Sequence, residues 1–266
     1  MNKITFVFQS GRMARLNGDH NKSSKEFFYS YHNFLNEYKD VKLIEFHKEK
    51  NFFHKLITPL FMTMRYLTTI PFYCENILSI KNFKIFNNSE NIIFTNQRVA
   101  FSSMPILLYL SLFKKKNLTV FIMGLFVEQS KNLIRKILRK MFIKILLNMF
   151  DNIIFLSKSE KELASAKFPK NNKKMNFLPF PVDTEFWDSE KAQETEKDSV
   201  LFIGNDGKRD YGFAVDIANH MSEYKFIFVS KQINKEAARS NIKILNGKWD
   251  ENLLTDSDIR DIYKKS

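Results

Sequence analysis

The sequence predicts an α/β fold made of two doubly wound parallel sheets, and three observations carry that expectation. Short apolar runs rich in β-branched and aromatic residues recur from Ile4–Phe8 to Ile242–Leu245. Most are separated by stretches long enough for a crossover helix, the signature of parallel strands covered by helices. The charge balance also changes sign along the chain. Residues 1–182 hold 29 Lys and Arg against 12 Asp and Glu, a balance of +17, whereas residues 183–266 hold 13 against 17, a balance of −4. A basic part joined to a mildly acidic one implies two surfaces with different partners.

The strands follow in order: Ile4–Phe8, Val41–Phe46, Asn91–Thr95, Leu118–Met123, Ile153–Ser157, Met175–Leu178, Val200–Ile203, Lys225–Ser230 and Ile242–Leu245. Helical patterns fill Ser24–Tyr38, Met104–Lys114, Lys131–Phe150, Lys158–Phe168, Phe213–Ser222 and Asp256–Lys264. The stretch Phe52–Phe86 reads as two or three helices broken by Pro59 and Pro71. Leu178-Pro179-Phe180-Pro181, stiffened by its prolines, opens the boundary between the halves and leads into the acidic stretch 183–198. Ligands of doubly wound sheets sit at the carboxyl ends of the strands. The residues there are Gln9–Arg12, Asn96–Arg98, Met123-Gly124, Ser157-Lys158, Gly204–Arg209 and Ser230-Lys231.

Composition narrows the class. With 266 residues, 44% of them hydrophobic, the chain can bury one large or two modest cores. The single cysteine, Cys74, excludes a disulfide framework and a thiolate metal site, points to a reducing compartment, and reads as a small buried hydrophobe. His20, His32, His47, His54 and His220 do not fall at ligand spacing, so no metal is expected. The apolar run Phe101–Phe113 contains Pro105 and is shorter than the ~20 residues a bilayer span needs, so no transmembrane helix is expected. Met1–Phe8 is too short for a signal-peptide core and reads as a first strand.

The most informative segment is Ser199–Met221. The apolar strand Val200–Ile203 enters a turn in which Gly204 and Gly207 bracket polar residues and Lys208 and Arg209 follow. A helix then begins at Tyr211, with Phe213, Ile217, Ala218 and Met221 on one face. Backbone N–H groups in such a turn, the positive end of the helix and two cations together make an anion site, with phosphate the usual anion. The same residues also fit a plain strand–turn–helix whose Lys208 and Arg209 are solvated.

Taken in order, several segments resemble the retaining glycosyltransferases of the two-domain GT-B class, within the large group 1 (family 4-like) set. Phe6–Tyr31 looks like that family's first strand, acceptor-side loop and first helix, and Ile153–Phe168 like its last strand–helix unit before the domain crossing. Leu178–Trp187 is similar to its hinge, with Phe180-Pro181 in place of the usual Asn-Gly while Val182-Asp183 remain. Phe202–Ala218 resembles the phosphate turn that opens the nucleotide-sugar domain. The resemblance covers most of 1–46 and 88–266. It implies two Rossmann-like domains: an acceptor-side domain over 1–182, an acidic linker over 183–198, and a partial nucleotide-sugar domain over 199–266. The second is incomplete, because the part that carries the family's paired glutamates would lie beyond Ser266; the chain is then expected to be a fragment or early-terminated product, with a complete short enzyme that binds its donor differently as the alternative.

The resemblance implies a donor diphosphate held by Gly204, Asn205, Gly207, Lys208 and Arg209, with Arg209 matching the second cation of the family's pair. Asn205 stands where the first cation is usual, and Lys208 is its candidate substitute. Gly11, Arg12, Arg15, Asn96 and Gly124 are the acceptor-side candidates. Arg12 and Arg15 equally fit a solvated loop in a basic protein. Met123-Gly124 stand where the family often has a histidine, so no histidine role is carried over, and no catalytic residue is assigned. The implied reaction moves a sugar from a nucleotide-sugar donor to a saccharide or lipid-linked acceptor, in glycan or polysaccharide synthesis, without a metal or other cofactor. A catalytically inactive remnant or binding module of the same fold is the alternative.

Leu133–Phe150 adds a possible partner. Lys136, Lys140 and Lys144 form an i, i+4 stripe flanked by Arg135 and Arg139, among Leu133, Ile134, Ile137, Leu138, Met141, Ile145 and Leu146. Such a helix either lies on an anionic membrane surface, making the chain cytoplasmic and peripheral on the inner face of the cell membrane, or covers a sheet with a solvated basic edge. A nucleic-acid-binding role for the basic half is the third reading. Its aromatics fall in apolar strand and helix patterns rather than between basic residues, so no nucleic acid is expected.

Overall fold

The computed structural model describes residues 3–17, 23–46, 52–127, 132–188, 199–205, 207, 209–234, 236, 238–245 and 254–266. It divides into two compact units, Met1–Met13 with Glu26–Pro181, and Ala14–Lys25 with Val182–Ser266. The fold class is the expected one: an α/β chain with two separate, wholly parallel sheets.

In the first unit, β1 (Lys3–Phe8), β2 (Asp40–Glu45), β3 (Asn91–Phe94), β4 (Asn117–Ile122), β5 (Asn152–Phe155) and β6 (Met175–Phe177) form a six-stranded sheet in the order β2-β1-β3-β4-β5-β6. Phe6 of β1 lies level with Leu43 on one side and Ile93 on the other. Every residue of β1 from Ile4 to Phe8 is buried, because helices cover both faces and a parallel strand then has no solvent side. Chain order reverses at β1, which has β2 on one side and β3 on the other.

The covering helices are α2 (Tyr31–Glu37), α3 (Phe52–Thr68), α4 (Ile80–Asn88), α5 (Gln97–Ser111), α6 (Leu133–Met149) and α7 (Lys158–Lys167); a short α1 (Arg12–Leu16) follows β1. Side chains of Ser79, Asn96, Asn132 and Ser157 cap α4, α5, α6 and α7 by accepting from first-turn N–H groups. Phenylalanine does much of the filling, with Phe6, Phe8, Phe86, Phe94, Phe101, Phe150 and Phe155 fully buried.

Three elements depart from expectation for local reasons. The pattern over Ser24–Tyr38 is helical only from Tyr31, because Tyr29 and Ser30 adopt left-handed backbone (φ 50° and 64°) and end the preceding short turn Glu26–Phe28. The helix expected from Met104 starts at Gln97, where Asn96 caps it, and Pro105 lies inside it. Pro59 likewise sits inside α3 rather than ending it. Beside it Thr58 and Thr63 turn their hydroxyls onto the carbonyls of His54 and Pro59, at 2.6 and 3.1 Å.

In the second unit, β7 (Ser199–Ile203), β8 (Lys225–Val229) and β9 (Ile242–Leu245) form a sheet in sequence order, with α8 (Thr184–Trp187), α9 (Tyr211–His220) and α10 (Asp256–Lys264). The small core joins Val215 and Ala218 of α9 to Phe226 and Phe228 of β8. The face expected to be buried is displaced: Phe213 is 62% exposed and Ile217 40%, while Tyr211, Ala214, Val215 and Ala218 turn to the sheet. The stretch expected as a linker holds α8, capped by Asp183; residues 189–198 lie outside the described residues. At the other end of this unit Arg15 pairs with Asp256 of α10 at 3.0 Å, with 8% and 4% of their side chains exposed. Ser24 completes the pocket of donors, its N–H reaching the same carboxylate oxygen at 3.0 Å.

Candidate functional site

In the first unit a cavity of about 390 Å³ opens at the carboxyl ends of β1, β3, β4 and β5, lined by Gln9, Arg12, Thr95, Asn96, Met123 and Leu156 together with Phe27, Tyr29 and Phe180. It lies where chain order reverses, between the continuations of β1 and β3, the position at which open parallel sheets hold ligands. Gly11 (φ +99°) makes the turn out of β1, in a backbone conformation that a residue with a Cβ rarely adopts. Glu45, at the end of β2, accepts from the backbone N–H groups of Arg12 and Met13 and so fixes the start of α1.

That start sets Arg12 5.3 Å from the centre of the Phe27 ring, within cation–π range. Phe27 and Tyr29 each pack on Phe180, at 5.4 and 6.0 Å between ring centres, and Tyr29 packs on Phe121 at 4.7 Å. Burial pushes the Tyr29 phenol above its ordinary value, with the Arg12 guanidinium opposing the shift. The phenol is therefore neutral at pH 7 and able to donate a hydrogen bond. The cavity thus combines an aromatic wall with one cation, two amides (Gln9 and Asn96) and a protonated phenol, a set suited to a polyhydroxylated ligand that stacks and hydrogen-bonds.

The neighbouring loops are held by side chains that act as clamps. Asn96 spends its carbonyl oxygen on the N–H groups of Arg98 and Val99, at 2.9 and 3.1 Å. Gln97 brackets Met123, donating to its carbonyl at 2.5 Å and accepting from its N–H at 3.0 Å. Glu160, in the first turn of α7, accepts from Gly124 and Phe126 at 2.8 and 3.1 Å, and holds the loop in which Gly124 turns at φ +71°. Gly124 belongs to that clamped loop. Arg15, the remaining acceptor-side candidate, is occupied by Asp256 within the second unit.

The second unit places the phosphate-turn candidates at the carboxyl end of β7. Gly204 is buried and donates its N–H to Val229 at 3.2 Å. Arg209 folds back over Gly204, donates to the Ile203 carbonyl and lies 5.9 Å from the Phe202 ring centre. A Cβ on Gly204 would run into the Arg209 guanidinium, so glycine at this position is what lets the arginine lie there. Asn205 accepts from the Lys231 N–H at 2.7 Å and the Ser230 hydroxyl at 3.4 Å, tying the loops after β7 and β8 together. Gly207 turns at φ +70° and donates to the Tyr211 hydroxyl at 3.2 Å. Lys208 lies outside the described residues.

One expected part of this site is already occupied. Asp210 caps α9 and accepts from the Phe213 N–H at 2.9 Å, so a carboxylate stands at the positive end of the helix. With the Gly204 and Gly207 N–H groups also spent, an anion here would rely on Arg209 rather than on the helix terminus. The sequence reading missed Phe27, Tyr29 and Phe180 as cavity walls, and Glu45 and Glu160 as clamps. The strand ends themselves were listable, but the aromatic wall depends on the left-handed Tyr29-Ser30 pair, which no pattern in the sequence marks.

No family model matches the chain, and comparison with curated protein sequences gives no match. Among solved structures the chain is similar to Arabidopsis thaliana UGT89C1 complexed with quercetin, at 12% identity and a TM-score of 0.44. That likeness covers 93% of this chain and 62% of the other, so the chain spans about 62% of the length of that protein. A likeness of this extent carries nothing about activity.

Proposed function

We propose that the chain is a glycosyltransferase polypeptide that takes a nucleotide-sugar donor and a saccharide or lipid-linked acceptor at the inner face of the cell membrane, in glycan synthesis. The observation that carries the reading is the cavity at the β1/β3 switch point, where Arg12, Gln9, Asn96 and the neutral Tyr29 phenol surround an aromatic wall. Such a wall stacks on a sugar ring while the amides and the cation orient its hydroxyls. The turn after β7, with Arg209 laid over Gly204, is the candidate for the donor diphosphate. The ordered resemblance of the two halves to group 1 glycosyltransferases supports both assignments.

In transfer, the acceptor hydroxyl oxygen bonds to the anomeric carbon as that carbon's bond to the diphosphate breaks, the hydroxyl proton passes to the leaving diphosphate oxygen, and the nucleoside diphosphate leaves. Arg209 would offset the charge that grows on the leaving diphosphate, a contribution of about 2–4 kcal/mol for one well-placed donor. No metal or other cofactor is part of this proposal.

The test is release of nucleoside diphosphate from UDP-glucose and GDP-mannose by the full chain, with a panel of saccharide acceptors. Acceptor-dependent release that falls at least tenfold in Arg12→Ala supports the reading. Donor binding without any release identifies the non-catalytic binding module instead. Absence of both binding and release overturns the proposal.

A further inference from the structure

A second cavity, of about 320 Å³, lies on the first unit between α6 and the segment after β4. Its floor is apolar, with Leu125, Phe126, Ile143 and Phe168 all buried, and its lining also includes Arg135, Arg139, Lys140 and Lys167. Arg139 is the unusual member. Its guanidinium is half-buried, and its hydrogen bonds go to neutral oxygens: the Thr69 carbonyl at 2.6 Å, the Thr69 hydroxyl at 3.2 Å and the Leu125 carbonyl at 2.5 Å. Among the described residues no carboxylate pairs with Arg135, Arg139, Lys140 or Lys167. Burying the Arg139 guanidinium without a counter-charge is costly, and five cations, Arg135, Lys136, Arg139, Lys140 and Lys167, line the one apolar hole.

The surface beside the cavity is apolar as well. Leu133, Ile134 and Ile137 in the first half of α6 are each more than half exposed, Ile134 at 66%. On α3, which packs against α6, Leu60, Met62 and Tyr66 are also more than half exposed. Arg135 lies 4.0 Å from the centre of the Tyr66 ring and joins the two patches. Free phosphate would satisfy the cations and leave the floor and the patch uncovered. A neutral apolar ligand would do the reverse. An anionic amphiphile held in a bilayer answers both demands, and a cavity of this size suits a headgroup and the first part of a chain.

We propose that this cavity and the adjoining α3–α6 surface bind an anionic phospholipid of a bilayer, with its phosphate against Arg135, Arg139, Lys140 and Lys167 and its chain toward the apolar floor. The site deepens the membrane part of the proposed function and rests on that part alone, not on sugar transfer.

The full chain is sedimented with phosphatidylcholine vesicles that contain or lack phosphatidylglycerol, at low and high salt. It is also titrated by calorimetry with dihexanoyl-phosphatidylglycerol and with inorganic phosphate. The expected result is binding to phosphatidylglycerol vesicles at low salt, weakened about tenfold or more by Lys140→Glu with Lys167→Glu, as reversal of two cations near an anionic surface requires. The same change on α4, Lys81→Glu with Lys84→Glu, is expected to cost less than a third of that. Both pairs are exposed lysines whose replacement leaves the core intact. Absence of vesicle binding overturns the site and the membrane reading together. Vesicle binding that falls equally in both double variants, or in neither, overturns the site alone. Phosphate that binds as tightly as the short-chain lipid also overturns it, by showing a simple anion site.

Discussion

At the scale of single residues, glycine and arginine depend on each other at the end of β7. Gly204→Ala puts a methyl group where the Arg209 guanidinium lies, so the arginine must leave the Ile203 carbonyl. The expected outcome is a loss of nucleotide-sugar affinity close to that of Arg209→Ala, with little change in thermal stability, read by calorimetry and a melting curve. Cys74 makes a contrasting prediction. It is fully buried, and burial, with the neighbouring Glu75 carboxylate adding to it, pushes its thiol far above the ordinary range. The group stays neutral and shielded across physiological pH, so a maleimide should label the native chain at least a hundredfold more slowly than the urea-unfolded chain. Rapid labelling of folded protein would contradict the packing around it.

At the scale of elements, the segment from α3 to α5 is held by a buried ion pair as well as by apolar contacts. Arg65 of α3 meets Glu75 at 2.7 Å, donates also to the Phe72 carbonyl, and packs 4.4 Å from the Tyr73 ring centre. Only 4% of the Glu75 side chain is exposed, so removing the cation strands a charge. Arg65→Met should cost about 3–5 kcal/mol, and Arg65→Met with Glu75→Leu should recover much of it. Chemical denaturation of the two variants checks this. The elements were also the most legible part of the sequence. Apolar runs marked the strands because a sheet covered on both faces tolerates few polar residues, whereas the Asn96 cap was missed and its helix expected only from Met104. Pro59 misled: it was expected to break the stretch, yet α3 runs through it. The α9 face was misjudged because Phe213 and Ile217 share helical spacing with Ala218, yet the sheet takes the side bearing Val215.

At the scale of the molecule, the charge asymmetry read from the sequence has a structural counterpart in each unit. The basic first unit gathers Arg135, Arg139, Lys140 and Lys167 around one apolar cavity. In the second unit acidic side chains act inside the fold: Asp210 caps α9, Asp183 caps α8, and Asp256 neutralises Arg15. That last pair is a clean test of the unit's own cohesion. Asp256→Ala leaves a buried guanidinium and is expected to destabilise the fold by about 3–5 kcal/mol, read by denaturation. The strand-end residues that line the sites were recoverable from the sequence, because parallel topology alone fixes which end carries ligands. The partners of those residues were not: Phe180 came from a segment read as hinge, and Arg15 found Asp256 across 241 positions of chain.

The central claim is that Arg209 serves a nucleotide-sugar diphosphate while Arg12 serves the acceptor. Calorimetry of UDP-glucose and GDP-mannose against the full chain, Arg209→Ala and Arg12→Ala tests it most directly. The account predicts that at least one donor binds, that Arg209→Ala weakens it about tenfold or more, as loss of one charge-assisted contact of about 1.5–3 kcal/mol would, and that Arg12→Ala leaves it essentially unchanged. A chain that binds neither donor, or one whose donor affinity depends on Arg12 and not on Arg209, would contradict it.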